Sequence, residues 1–234
     1  MELRLRRRHA SRKREMTRPA LYLWIPRTAG TSLWDACERH NAGTQRIGAV
    51  KGRRFAPHCR VTTFQHCYVP SFLEEGMFTR KWLDAQFKFA VVRNPWARLV
   101  SVFHHLRQGR KNQQEALCGM DWLAFCNVVC LGVRVEPPGR RTPYLSYACP
   151  QTAWLRWPDG SWIPDYVGKF GHIQASWEYV KHCTGLKGKL LHFNHSQHTP
   201  YTDYYTADLR RLVALVYEEE IDIWGFSFYD EAKP

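Results

Sequence analysis

Residues 21–33 read LYLWIPRTAGTSL. Leu21 to Ile25 is an unbroken apolar run, which predicts a buried strand. Pro26 ends the ladder because it has no N–H to give. Arg27-Thr28-Ala29-Gly30-Thr31-Ser32 follows, small and polar apart from one fixed positive charge. Leu33, Trp34 and Cys37 then recur at helical spacing. The expectation is strand, turn and helix, the helix running from Thr31 to about His40 with Thr31 or Ser32 near its cap. Such a turn offers backbone N–H groups, hydroxyls and a guanidinium at a helix N-terminus, which suits a phosphate or sulfate. The triphosphate pattern G-x-x-x-x-G-K-[ST] is absent.

A second place of this kind lies downstream. Phe87 to Val92 is a strong strand, closed by Arg93. Asn94 suits a helix cap and Pro95 a first turn, and Trp96, Leu99, Val100 and Phe103 share one face of the helix that follows. Ser101 falls about two turns into it. Arg93 and Ser101 can face the same crevice as the Pro26–Ser32 turn, at the carboxyl ends of the strands, where open α/β sheets bind ligands. Val61–Phe64 is a short β-branched strand leading into Gln65 and His66.

The remaining chain alternates in the same way. Residues 42–58 read as loop, with helical turns from Ser71 and near 79–85. Asp121 to about Leu131 is helical and apolar almost all round; 132–143 is a loop and 144–155 helical. Tyr166–Phe170 reads as a strand, His172–Cys183 as a helix and Leu190–Phe193 as a last short strand. Leu209, Leu212, Val213, Val216 and Tyr217 mark an amphipathic helix. Strands alternating with helices predict one α/β domain over 19–234, a central parallel sheet flanked by helices. Residues 1–18 read as a basic, disordered arm.

The 234 residues carry a formal charge of +13. Seven Lys/Arg against Glu2 and Glu15 in residues 1–15 leave about +8 elsewhere, so the excess is not confined to the arm. That balance points to an anionic ligand or partner. Eight cysteines show no C-x-x-C and no regular framework, and read as reduced core residues. No apolar run reaches the ~18 residues of a membrane span, which favours a cytoplasmic protein without a membrane partner.

At IPRTAGTSL and VVRNPWARLVSVF the chain resembles the sulfotransferases, in their 5′-phosphosulfate loop and 3′-phosphate segment respectively. PQTAWL (150–155), DYVGKFGHI (165–173), HFNHSQHTPYTDYY (192–205) and VYEEEIDIWGFSF (216–228) resemble the carbohydrate type of that family. The resemblance implies a P-loop-like nucleotide-binding sulfotransferase fold. It also implies 3′-phosphoadenosine 5′-phosphosulfate (PAPS) as donor, 3′-phosphoadenosine 5′-phosphate (PAP) as product, and no metal. By the same resemblance Arg27, Thr28, Ala29, Gly30, Thr31 and Ser32 hold the 5′-phosphosulfate, while Arg93 and Ser101 hold the 3′-phosphate. The acceptor is a carbohydrate or another small hydroxylated metabolite. His66 is the expected base, since an unperturbed imidazole titrates near 6.5; Glu74 and Glu75 are runners-up. Arg27 stands where the family most often has Lys, so it stabilises charge rather than donating a proton. Gly171 stands where an acidic residue is expected.

Other readings stay open at this stage. The arm and the exposed aromatics fit a basic nucleic-acid-binding protein. A phosphotransferase fits less well, lacking the Walker lysine. His192, His195 and His198 invite a zinc site, although six residues is no helix-face spacing. The Trp154–Trp162 stretch offers an aromatic platform for a sugar ring.

Overall fold

The computed structural model describes residues 17–48, 55–108, 119–132, 143–191 and 199–231. Five strands form one all-parallel sheet: β1 (Ala20–Leu23), β2 (Thr44–Ile47), β3 (Val61–Phe64), β4 (Phe87–Val92) and β5 (Tyr166–Lys169). Their order is β2-β3-β1-β4-β5. β1 lies at the centre, with Ala20 paired to Val61 on one side and Phe87 on the other. A strand so placed is covered on both faces, and the side chains divide by parity. Ala20, Tyr22 and Trp24 pack with Leu33, Trp34 and Trp177. Leu21, Leu23 and Ile25 pack with Phe64, Leu83 and Trp154 on the opposite face. This is the reason for the unbroken apolar run.

Helix α1 (Gly30–His40) follows β1, and α2 (Val69–Glu74) and α3 (Arg80–Ala85) lie between β3 and β4. The long α4 (Pro95–Arg107) follows β4. It is capped as expected: the Asn94 Oδ1 accepts from the N–H groups of Trp96 and Ala97 at 3.1 and 3.3 Å. Trp96, Val100 and Phe103 join the helices Trp122–Gly132 and Ala207–Val216 in a further cluster beside the sheet.

Three expectations are corrected. Thr44–Ile47, placed in a loop, is the edge strand β2; only Ile47 of its four residues is buried, so it lacks the apolar signature of its neighbours. Leu190 and Leu191 form no strand, and 192–193 lie outside the described residues. α1 begins at Gly30 behind Ala29, and no side chain caps it, so Thr31 and Ser32 stand inside its first turn. The Arg18 guanidinium donates to the carbonyls of Asp84 and Gln86 and meets Asp165 at 3.6 Å, which ties it to the fold. Residues 1–16 lie outside the described residues. The seven described cysteines form no disulfide. No described helix is long and apolar enough to cross a membrane.

Arg98 on α4 is 1% exposed. It donates to the carbonyls of Tyr147, Ala148 and Cys149, closing the end of the helix Pro143–Ala148. Arg98→Met leaves those carbonyls and the buried Glu220 carboxylate without their cation. The expected loss is about 3 kcal/mol, read as a lower urea midpoint at unchanged m-value; an unshifted midpoint contradicts it.

Candidate active site

In the strand order, β1 leads away to β2 and β3 on one side, and β4 leads to β5 on the other. The loops after β1 and β4 therefore diverge, and a crevice opens between them at the carboxyl ends of the strands. Arg27 follows β1, His66 follows β3 and Arg93 follows β4, so three adjacent strands each deliver one residue to this edge. All three line a cavity of about 1000 Å³, together with Ser101, His105 and Tyr147.

The backbone here is held in an unfavourable conformation. Among the described residues, three non-glycine residues have positive φ: Arg27 (66°), Ala29 (65°) and His66 (55°). All three line the cavity. Left-handed backbone costs of order 1 kcal/mol or more at such residues and persists only where the surroundings impose it. Part of that imposition is visible at Gly30. A Cβ there would lie 1.7 Å from the Trp24 indole nitrogen, so glycine lets the indole pack under the first turn of α1. Gly30, Thr31 and Ser32 of that turn line the cavity, and the N–H groups of a helix N-terminus suit an anion.

The residues expected to bind the donor are placed unequally. Arg27, Ala29, Gly30, Thr31, Ser32, Arg93 and Ser101 line the cavity. Thr28 does not: it is fully buried and its hydroxyl donates to the Ile25 carbonyl at 3.0 Å, closing the turn. Ser101 pairs with Arg27. Its Oγ accepts from Arg27 Nε at 3.1 Å, so it meets the first cation rather than Arg93. Arg93 instead meets Glu231, Nε to Oε2 at 3.0 Å, with its guanidinium over the Phe170 ring. The other Glu231 oxygen accepts from the Asn94 N–H at 3.1 Å. The chain's own carboxylate thus occupies the anion position at the head of α4.

Two residues behind Arg93 explain the PQTAWL stretch. Gln151 accepts from the Arg93 N–H and donates to the Arg93 carbonyl, both at 2.8 Å. Glu220, fully buried, accepts from the Gln151 side chain at 3.0 Å and from its backbone N–H. Its burial raises its pKa. A carboxamide can satisfy a donor and an acceptor together, so one side chain fixes the backbone of Arg93.

The electrostatics follow from two guanidinium groups sharing one partly enclosed space. Burial and the charge of Arg93 lower the Arg27 pKa from its ordinary value, yet a guanidinium stays charged. His66 is affected more: burial, then His105 and Arg27, push its pKa down to about 4. The expected titration near 6.5 is corrected accordingly, and the resting imidazole is neutral. His66 Nδ1 lies 3.3 Å from the Tyr147 hydroxyl, and its ring meets Trp24 edge-on at 5.7 Å. Arg27 also reaches His105 Nδ1 at 3.4 Å. Sequence reading passed over His105 and Tyr147. His105 stands four residues after Ser101 on the same helical face, a spacing that marks it; Tyr147 carries no such signal.

Other expectations resolve away from the cavity. Trp154 is core, and the exposed Trp162 stacks on Arg156 outside the cavity lining. Glu74 and Glu75 are exposed and do not line the cavity. His192, His195 and His198 lie outside the described residues, among which no cluster of three metal-ligating side chains occurs.

No curated protein matches the sequence. A family model does match, that of the Sulfotransferase family, over residues 17–227. The match begins just before β1 and ends beyond the last helix, so it takes in every strand and, apart from Asp230 and Glu231, the described lining of the strand-end cavity. The chain therefore belongs to the sulfotransferase family, whose chemistry is the transfer of a sulfuryl group.

Proposed function

We propose that the chain transfers a sulfuryl group from PAPS to a hydroxyl of a carbohydrate or small hydroxylated metabolite, with His66 as base and Arg27 as charge stabiliser. One observation carries this reading: two separate cationic positions, Arg27 and Arg93, face one cavity at the strand ends with a neutral histidine beside them. A donor with two anionic groups matches that spacing of charge. The residues present suit it. The first turn of α1 and Arg27 take the 5′-phosphosulfate, and Arg93 takes the 3′-phosphate in place of the Glu231 carboxylate. When bound, the donor supplies a sulfuryl group whose bond to the bridging oxygen breaks as the acceptor oxygen bonds to sulfur.

The protein's part is positioning and charge. His66 accepts the acceptor's hydroxyl proton. Arg27, held by Ser101 and His105, stays cationic and meets the charge that builds on the departing phosphate oxygen. Among the described residues the cavity lining carries no carboxylate apart from Asp230 and Glu231, which favours a neutral hydroxyl over an ammonium acceptor. Gln65, His172 and Gln174 offer hydrogen bonds beside the apolar Ile173 and Leu190, a mixture suited to a hydroxylated ring.

Calorimetric titration with PAP, without metal, tests the donor site. Wild type is expected to bind, and Arg93→Ala to bind about 10–100-fold more weakly, as for a lost hydrogen bond to a charged group. Glu231→Gln is expected to bind several-fold more tightly, because a competing anion has gone. A folded wild type that ignores PAP overturns the reading. With PAP release as the assay, Arg27→Ala should lower kcat by about 10²–10³-fold. The pH profile has a definite sign. His66 is active when unprotonated, and its free-enzyme pKa is about 4. kcat/KM should therefore hold down to about pH 5 and decline only near 4; an acidic limb at 6.5 would contradict the site's electrostatics.

A further inference from the structure

His66 has a single hydrogen-bond partner among the described residues, the Tyr147 hydroxyl at Nδ1. The two rings meet edge to face at 5.1 Å, and Trp24 covers another side. Nε2 makes no hydrogen bond to any described residue, and His66 lines the cavity. A neutral imidazole carries one N–H, and the bond made by one nitrogen decides whether the other keeps the proton. Tyr147 is therefore the group that chooses the His66 tautomer.

The neighbouring histidine shows how strictly such a choice is made. Arg27 reaches Nδ1 of His105, and a guanidinium has no lone pair to offer. His105 Nδ1 must accept, so its proton sits on Nε2. A phenol, unlike a guanidinium, can donate or accept. With the cavity empty, the Tyr147 proton is free to point at the neutral imidazole. An anion beside Arg27 changes the competition. A charge-assisted O–H···O⁻ bond is about twice as strong as a neutral one, so the phenolic proton turns to the anion. The phenol then presents a lone pair to Nδ1, and the imidazole proton moves to that nitrogen.

We propose that Tyr147 is a positioning residue which, once the donor is bound, holds His66 as the Nδ1–H tautomer and leaves its Nε2 lone pair for the acceptor hydroxyl. The inference rests on the reading of His66 as base. The balance is simple. The acceptor O–H gives its proton to Nε2 as its oxygen bonds to sulfur. The imidazolium so formed keeps its Nδ1–H on the Tyr147 oxygen, nothing passes through the phenol, and solvent later takes the Nε2 proton.

The test is long-range ¹H–¹⁵N NMR of the full chain with labelled histidine and bound PAP, on wild type and Tyr147→Phe, with kcat measured on both. Wild type is expected to show His66 protonated at Nδ1. Tyr147→Phe keeps the ring and its packing, and should show a mixture of tautomers. Its kcat should fall about 10-fold or more, the usual cost of losing the partner that orients a functional imidazole, with PAP affinity changed by less than about threefold. A merely structural tyrosine would not move the ¹⁵N signature. Protonation at Nε2 in the wild-type PAP complex overturns the inference, as does an unchanged tautomer with undiminished kcat in Tyr147→Phe. His66→Ala separates the two levels. Normal turnover by that variant strikes the base assignment itself, whereas lost turnover beside an indifferent Tyr147→Phe strikes Tyr147 alone. Failure of PAP to bind overturns both.

Discussion

Two guanidinium groups held at neighbouring strand ends repel one another, and the architecture around the cavity can be read as what keeps them there. Arg93 is fixed through its backbone, gripped at N–H and C=O by Gln151, which is itself seated on the buried Glu220. Arg27 is fixed through its side chain, by Ser101 and His105 on α4. Neither anchoring scheme neutralises Arg27, whose described hydrogen-bond partners are both uncharged. Burial first, and then the Arg27 charge, depress His66 and His105. Arg27, cationic and held only by uncharged partners among the described residues, favours an anion at its end of the cavity. Glu231 meets the charge of Arg93.

The strained residues belong to the same economy of position. A turn straight from a buried strand into a helix must reverse direction within a few residues, and Arg27 and Ala29 do so in left-handed conformations that glycine would adopt more readily. Glycine at 27 would relieve the backbone and remove the charge. The side chain is thus kept at the cost of conformational strain, and the packing of Trp24 beneath Gly30 helps to hold it.

What could be read from the sequence follows the strength of the local signal. β1, β3 and β4 are central and covered on both faces, so the apolar runs of β1 and β4 and the β-branched run of β3 mark them to within about two residues. β2 sits at the edge with one buried side chain, and nothing in Thr-Gln-Arg-Ile separates it from a loop. The strand-end arginines and His66 were legible because each follows a clear strand. Hydroxyl directions were not: Thr28 turns inward to close its own turn, and Ser101 serves Arg27 rather than Arg93. The second choice depends on how α4 lies against the β1 turn, a contact between residues more than 70 positions apart. Tyr147 is more distant still and arrives through the grip of Arg98 on its carbonyl.

The central place of β1 also bears on how the chain is made. Both its partners come later in the chain, β3 from Val61 and β4 from Phe87. At roughly 5–20 residues per second on the ribosome, Leu21–Ile25 waits several seconds for its second neighbour. During that time it is a five-residue apolar segment with high strand propensity, no charge and no proline, the composition that seeds intermolecular pairing. The dense Arg/Lys sequence immediately before it supplies like-charge repulsion between nascent copies, the part that flanking gatekeeper residues play beside unavoidable hydrophobic strands. On this view the basic N-terminal stretch protects a strand whose pairing is necessarily late.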